Sequence, residues 1–284
     1  MKILVTGYTG QLGYDVVKAG ERRGYEMHGV GSADLDLTNQ QAVKEYVETL
    51  QPDAIIHSAA YTAVDKAEDD REACWNVNVN GTSYIAEAAK TVGAKFMYIS
   101  TDYVFDGQGE EPFLETDSTN PVGYYGLTKL EGEKRVQSLL ADHFIVRISW
   151  VFGLNGNNFV KTMLRLAETR QELNVVGDQY GSPTYTFDLA RLLLDMIESE
   201  KYGTYHASNE GFCSWAEFAR EIFKVAEKDV KVSAITTEEY PTRAVRPKNS
   251  RMSKQKLVDA GFSPLPTWQE ALKHYMNELS LEVK

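Results

Sequence analysis

The sequence predicts an α/β protein built on a doubly wound parallel sheet, with a smaller, mostly helical C-terminal region. Short apolar strands alternate with amphipathic helices up to about residue 150, an order that places helices on both faces of a parallel sheet. Beyond Trp150 the pattern changes to a succession of helices. We therefore expect a sheet domain over 1–150 and a substrate-binding region over 151–284 that packs tightly on it.

The chain opens with a short apolar strand over 2–6, a glycine-rich turn and a helix. The turn reads Gly-Tyr-Thr-Gly-Gln-Leu-Gly from Gly7 to Gly13, so its spacing is GxxGxxG rather than GxGxxG. Glycines at a strand-to-helix turn let the backbone approach a pyrophosphate, which the free N–H groups and dipole of the helix then favour. This turn predicts a Rossmann-type dinucleotide site.

The end of the second strand, over 26–30, leaves the choice of dinucleotide open. An acidic residue there would bind the adenosine ribose, and an arginine would accommodate a 2′-phosphate. The chain has Gly-Ser-Ala at 31–33, followed slightly late by Asp34 and Asp36, and two arginines at 22 and 23 end the first helix. Neither NADH nor NADPH is excluded.

The other elements of the first half follow from apolar periodicity and from caps. A capping box at Thr38–Gln41 marks the start of one helix, and His57 lies in an apolar strand as a core residue. We predict, in order, a helix from 38 to 50, a strand over 54–58, a helix over roughly 72–92, a strand over 95–100, a helix over 125–140 and a strand over 143–147.

The region beyond Trp150 is predicted from apolar stripes at helical spacing, which are typical of a packed core. Two capping boxes, Ser214–Glu217 and Thr267–Glu270, mark helix starts. The predicted helices cover 159–167 and 187–197, and two more begin after the capping boxes.

Composition fits a globular enzyme of the cytoplasm. A chain of 284 residues can bury a full core, and it has neither a membrane-spanning apolar run nor a signal-peptide pattern at its start. The net charge of −11 argues against nonspecific nucleic-acid binding. Cys74 and Cys213 lack paired spacing, so neither a disulfide nor a structural zinc site is expected.

A Tyr-x-x-x-Lys pair, Tyr125 and Lys129, follows Thr101 at the carboxyl end of a predicted strand. On a helix the pair would share one face, although a solvated Tyr/Lys pair is the simpler explanation of the spacing alone. A phenol is a weak acid-base group at neutral pH unless a nearby ammonium stabilises the phenolate, and Lys129 would supply that charge. Tyr125 could then protonate a carbonyl oxygen during hydride transfer while Thr101 binds the same oxygen.

The segment 241–256 has six basic residues and no acidic one, in an otherwise acidic chain. Arginines can bind phosphates bidentately, so the segment is either a local anion site or an ordinary solvated loop. Charge alone does not decide between them. Prolines on both sides of Arg246 favour a shaped loop.

The assembled motifs resemble the extended short-chain dehydrogenase/reductase superfamily over nearly the whole chain. Besides the glycine turn and the Tyr-Lys pair, the most selective segments are 59–68, 100–105, 147–152, 156–159, 178–184 and 246–251. The resemblance implies reduction of the C4 ketone of dTDP-4-dehydro-β-L-rhamnose to dTDP-β-L-rhamnose by NADPH or NADH. That reaction is the last step in making an activated sugar for cell-surface polysaccharides.

The resemblance also implies roles for individual residues. It implies a catalytic trio of Thr101, Tyr125 and Lys129, and contacts to the nucleotide-sugar substrate from Thr101, Asp102, Trp150, Asn158 and Arg246. It allows a homodimer with magnesium at the interface, but no carboxylate cluster in the sequence locates a metal. The implied cofactor positions are Gly7, Gly10, Gln11, Leu12, Gly13, Asp36, Leu37, Ala60, Tyr61, Thr62, Tyr125 and Lys129.

Alternatives stay open for the function and for single residues. An epimerase or a 4,6-dehydratase could share the fold, although a dehydratase commonly has Asp-Glu after the threonine and here Tyr103 follows Asp102. A third interpretation is a noncatalytic subunit resembling the methionine adenosyltransferase β subunit, which the intact set of Thr101, Tyr125 and Lys129 disfavours. Asp102 could instead cap a turn, Trp150 could be core, and the acids at 65 and 68 could be solvated charges at a helix start.

Overall fold

The computed structural model describes residues 1–282 and has a six-stranded parallel sheet at its centre, in the order β10-β5-β4-β3-β1-β2. The predicted α/β fold class is confirmed. The strands are β1 (Lys2–Thr6), β2 (Glu26–Val30), β3 (Ala54–His57), β4 (Lys95–Thr101), β5 (Phe144–Ile148), β6 (Val151–Phe152), β7 (Glu172–Val176), β8 (Tyr180–Gly181), β9 (Thr184–Tyr185), β10 (Gly203–His206), β11 (Cys213–Ser214) and β12 (Lys231–Ile235).

Helices cover both faces of this sheet. One core packs α1 and α8 against the sheet and another packs α2, α5 and α6 on the opposite face, so alternate strand residues are buried on both sides. The helices are α1 (Gln11–Arg22), α2 (Gln40–Leu50), α3 (Val64–Ala67), α4 (Arg71–Trp75), α5 (Thr82–Val92), α6 (Tyr124–Leu139), α7 (Phe159–Ala167), α8 (Thr186–Glu198), α9 (Trp215–Val225), α10 (Gln255–Asp259) and α11 (Trp268–Glu282).

A third core holds the C-terminal region together, and it is lined by α7, α9 and α11. The capping boxes predicted there are confirmed, because Ser214 and Glu217 exchange side-chain and backbone hydrogen bonds, as do Thr267 and Glu270. The region also contains two-stranded pairs that the sequence did not predict, including a parallel pair of β7 and β12. Within residues 1–282, no helix has the length and apolar character needed to span a bilayer.

The sheet crosses the boundary predicted at residue 150. β10 pairs with β5 at the edge of the sheet, and α8 packs on α1, so residues 186–206 belong to the sheet layer. The division into 1–150 and 151–284 therefore does not separate the sheet from the rest of the chain. β10 is only four residues long, too short to give a clear alternating pattern.

Two helix predictions in the first half need correction. The helix expected over 72–92 is interrupted by a π-helical segment, Asn76–Gly81, between α4 and α5. The helix α2 is capped by Asn39, whose side chain accepts a hydrogen bond from the N–H of Ala42, instead of by the predicted Thr38–Gln41 box. The Thr38 hydroxyl donates to the Asp36 carboxylate instead, at 2.7 Å.

Candidate active site

A cavity of about 740 Å³ lies at the carboxyl ends of β1, β3, β4 and β5, where open parallel sheets place their ligand sites. The cavity brings together residues that are up to about half the chain apart in sequence. Of the residues predicted from sequence, those that line it are Gly7, Gly10, Gln11, Leu12, Gly13, Asp36, Leu37, Ala60, Tyr61, Thr62, Thr101, Asp102, Tyr125, Lys129 and Trp150.

The glycine turn is built so that its backbone forms the cavity wall. Gly7 has a left-handed φ of 72°, and a Cβ on it would lie 2.8 Å from the backbone of Ala59. A Cβ on Gly13 would lie 2.3 Å from the carbonyl oxygen of Gly7. Only glycine fits these two positions, which leave free N–H groups at the start of α1 facing a pocket large enough for a ligand. These residues fit a dinucleotide.

Past the end of β2, the cavity is lined by Thr9, Gly31, Ser32 and Asp36. Hydrogen bonds from the Thr38 side chain and backbone lower the pKa of the Asp36 carboxyl. Arg23 lies elsewhere, because its guanidinium pairs with Asp195 and Glu198 of α8.

Asn78, in the π-helical segment, is a site residue that the sequence did not indicate. Its side chain accepts from the N–H of Tyr61 at 2.8 Å and donates to the carbonyl oxygen of Tyr61 and to the Thr128 hydroxyl. The buried amide thus fixes a segment of the cavity wall against α6. An asparagine inside a helical pattern is normally only a weak helix former, so no sequence signal marked it.

The three predicted catalytic residues meet at one wall of the cavity. Thr101 ends β4, and Tyr125 and Lys129 lie one turn apart on α6, whose N-terminus faces the same edge of the sheet. The Thr101 hydroxyl donates to the Asp102 carboxylate at 2.9 Å, and Lys129 Nζ donates to the carbonyl oxygen of Ile99 at 2.7 Å.

Burial raises the pKa of Tyr125 above its ordinary value, and the negative charge of Asp102 adds to this effect, while a hydrogen bond with Thr101 opposes it. The pKa of this phenol is therefore raised, whereas from the sequence we expect Lys129 to lower it; stabilisation of the phenolate by Lys129 stays a prediction. Desolvation destabilises the phenolate more than the neighbouring groups stabilise it. Tyr125 is consequently a protonated phenol at neutral pH, the form that can donate a proton.

Two other buried groups in the cavity wall titrate near neutrality. Burial lowers the pKa of Lys129 to about 7, although the carboxylate of Glu133 acts in the opposite direction. Burial also raises the pKa of Asp102 to about 6, against stabilising hydrogen bonds from Ser250 and Thr101. A buried acid and a buried base beside a protonated phenol are typical of an acid-base catalytic site.

Comparisons with known proteins agree with this geometry. Residues 1–281 match the model of the family described as the RmlD substrate binding domain. The chain belongs to the RmlD substrate-binding-domain family. Its resemblance to nucleotide-sugar reductases of the short-chain dehydrogenase/reductase superfamily is thereby confirmed.

Three relatives of this RmlD-family chain have similar sequences or structures over nearly their whole lengths. A dTDP-4-dehydrorhamnose reductase of Aggregatibacter actinomycetemcomitans is 43% identical over 96% of this chain and 97% of its own. A solved dTDP-4-dehydrorhamnose reductase of Clostridium acetobutylicum has a TM-score of 0.96 and 45% identity, covering 99% of this chain and 100% of its own. A Bacillus anthracis dTDP-4-dehydrorhamnose reductase, solved in complex with NADP, has a TM-score of 0.95 and 43% identity, covering 98% and 100%.

Two predicted substrate contacts of the RmlD-family chain lie outside the cavity lining. Asn158 caps α7, and its amide donates to the side chain of Gln11 at 3.1 Å and to the carbonyl oxygen of Gly153 at 2.8 Å. Arg246 pairs with Asp65 at 2.7 Å and donates to the hydroxyl of Tyr103 at 3.3 Å. Both side chains therefore contact other residues of the site.

The basic segment 241–256 is largely neutralised by carboxylates. Besides the pairing of Arg246 with Asp65, Arg243 pairs with Asp69, and Lys248 pairs with two carboxylates. Asp65 and Glu68 are thus more than solvated charges at a helix start, because Glu68 also accepts a hydrogen bond from the N–H of Tyr124.

His57 is fully buried between Thr6 and Thr82, as a core residue should be.

The resemblance allows a magnesium ion at a dimer interface. Among residues 1–282, no group of three or more histidine, cysteine, aspartate or glutamate side chains could hold a metal ion. Cys74 and Cys213 are free and buried.

Proposed function

We propose that this protein reduces the C4 ketone of dTDP-4-dehydro-β-L-rhamnose to dTDP-β-L-rhamnose, with NADPH or NADH as the reductant. The observation that carries the proposal is the convergence of Thr101, Tyr125 and Lys129 on one cavity that also contains the glycine turn. It is supported by relatives named dTDP-4-dehydrorhamnose reductase at 43% and 45% identity. A relative solved with NADP supports NADPH among the two cofactors.

The chemistry assigned to the chain's own residues is proton transfer and orientation. A reduced nicotinamide dinucleotide supplies the hydride when it is bound. Tyr125, whose pKa is raised by burial, donates its phenolic proton to the C4 oxygen as that oxygen becomes negatively charged. The Thr101 hydroxyl turns from Asp102 to bind the same oxygen. Lys129, one helical turn away, offers positive charge when the phenolate forms.

The remaining walls of the cavity orient the substrate and hold the cofactor. Asp102 and Trp150 are the proposed sugar contacts, and the 7–13 turn with the 60–62 segment is the proposed dinucleotide site. Arg246 is proposed to bind the phosphates of the sugar nucleotide, in addition to its contacts with Asp65 and Tyr103. The homodimer and the cytoplasmic location stay predictions.

The experiment that tests the proposal is incubation of the purified protein with dTDP-4-dehydrorhamnose and each reduced cofactor in turn. We expect substrate-dependent consumption of the cofactor and dTDP-rhamnose as the product, identified by NMR. An epimerase would change the sugar without net consumption of added cofactor, and a noncatalytic subunit would bind ligands without turnover. Either result would overturn the proposal. NMR also distinguishes rhamnose from 6-deoxytalose, which differs only at C4.

A further inference from the structure

Trp150 has a backbone conformation that is unfavourable for any residue other than glycine. Its φ is +47°, in the left-handed region, and it lies between the end of β5 and the start of β6 with its side chain in the cavity wall. A Cβ makes this conformation costly, so it persists only where neighbouring groups enforce it. The contacts of the Trp150 indole identify those groups.

The first neighbour is Trp215, whose ring stacks on that of Trp150 with centroids 3.6 Å apart and planes 13° apart. Trp215 is the first residue of α9, directly after Ser214, the N-cap residue of the Ser214–Glu217 capping box. The ring centroid of Phe159 lies 4.7 Å from that of Trp215. Trp215 is therefore held in place by its own helix start and by a second aromatic ring.

The second neighbour is Gly181 of β8. A Cβ at this position would lie 2.8 Å from the Trp150 indole and 3.1 Å from the Ser250 side chain, so the indole occupies the space of the missing side chain. β8 pairs antiparallel with β11, whose last residue, Ser214, precedes Trp215. One strand pair thus supplies both the space for the Trp150 ring and the ring that stacks on it.

We propose that Trp215 is a positioning residue for the sugar subsite, holding the Trp150 indole as a fixed wall against which the sugar of the nucleotide sugar packs. The inference rests on the proposed function, because it assigns the sugar of that substrate to this wall. Aromatic walls are common in ligand sites, and an indole offers a large apolar face at a small conformational cost. A wall that is already stacked before binding adds affinity by removing the cost of ordering it.

The test uses the full chain with Trp215→Ala, Trp215→Phe and Gly181→Ala, and Trp75→Phe serves as a control because Trp75 lies in α4, outside the cavity lining. Calorimetric titration measures the affinity for dTDP-β-L-rhamnose, for dTDP and for NADPH. Circular dichroism of the tryptophan bands reports the coupling of two stacked indoles without any ligand. Steady-state kinetics separates KM from kcat.

We expect Trp215→Ala to weaken dTDP-rhamnose binding about tenfold and to raise KM more than it lowers kcat, with the paired tryptophan signal lost. Affinities for dTDP and NADPH should stay unchanged, because neither ligand contains the sugar that packs on the wall. Gly181→Ala should have a similar effect by displacing the Trp150 ring. Trp215→Phe, which retains an aromatic ring, should preserve most of the affinity, and Trp75→Phe should preserve all of it.

Unchanged dTDP-rhamnose affinity in Gly181→Ala and in Trp215→Ala, with wild-type protein that binds this ligand, overturns the positioning role and leaves the proposed reductase activity intact. An equal loss of NADPH affinity also overturns it, since that result indicates general damage to the fold. If Trp215→Ala does not fold, Gly181→Ala decides by the same measurements. Wild-type protein that neither binds dTDP-rhamnose nor reduces the ketone contradicts the proposed function itself.

Discussion

Glu133 and Arg147 form a bidentate ion pair, in which Arg147 Nε lies 2.9 Å from Glu133 Oε1 and Arg147 Nη2 lies 2.7 Å from Glu133 Oε2. The two side chains are only 2% and 5% exposed. The Ser100 hydroxyl also donates to Glu133, at 2.5 Å. Glu133 lies in α6, one helical turn beyond Lys129, and Ser100 lies in β4, immediately before Thr101. Because Arg147 lies in β5, the ion pair and the Ser100 hydrogen bond join α6 to β4 and β5.

Breaking this pair should destabilise the protein strongly. In Glu133→Gln the Arg147 guanidinium would stay buried without its counter-charge, which typically costs about 3 kcal/mol or more. The matched control is Glu131→Gln, on the same helix, because the pair of Glu131 with Lys134 is exposed to solvent and should contribute less than about 1 kcal/mol. Urea denaturation of both variants measures the difference. Equal free energies of unfolding would contradict the structural role of the buried pair.

The sequence predicted local relationships in the site well, because local spacing determines them. Tyr125 and Lys129 share a helix face since they are four residues apart, and the glycine turn follows from a strand directly joined to a helix. The pairing of Arg246 with Asp65 spans 181 residues, and only the complete fold brings them together. The left-handed backbone of Trp150 and the stacking of its ring on Trp215 are likewise recorded by no periodic pattern.

Tyr125→Phe should abolish most turnover and leave cofactor binding unchanged. The substitution removes the phenolic proton but keeps the ring in the cavity wall, so only the proton donor is lost. Loss of a general acid typically lowers the rate about 100-fold or more. Steady-state reduction of dTDP-4-dehydrorhamnose and calorimetric titration of NADPH measure the two effects. Unimpaired reduction would rule out this mechanism.

Arg246→Ala should weaken binding of the sugar nucleotide about tenfold, with little change in cofactor affinity. The guanidinium holds the hydroxyl of Tyr103, which lines the cavity, and its proposed contact with the substrate phosphates would be lost as well. Arg243→Ala is the control, since Arg243 comes from the same segment but pairs with Asp69 at the exposed surface. Calorimetry with dTDP-rhamnose measures both. Equal affinities for dTDP-rhamnose in the two variants and the wild type would show that Arg246 does not contribute to substrate binding.

Lys129 should make the free energy of unfolding of the protein rise with pH between about 7 and 10.5. Burial lowers its pKa from 10.5 to about 7, so between these values the unfolded chain carries a proton that the folded protein lacks. Stability must therefore rise with pH in this window, and the cost of burying the ammonium is fully present below it. In Lys129→Met this dependence disappears, while contributions from groups such as Cys74 remain in both proteins.

The measurement is urea denaturation of wild type and Lys129→Met at about pH 7 and about pH 9. The free energy of unfolding of the wild type should gain about 2 kcal/mol relative to the variant over this range. A parallel pH dependence in both proteins would show that Lys129 keeps an ordinary pKa when folded. Its ammonium would then be charged throughout the working range of the enzyme, because burial would not be shifting its titration towards neutrality.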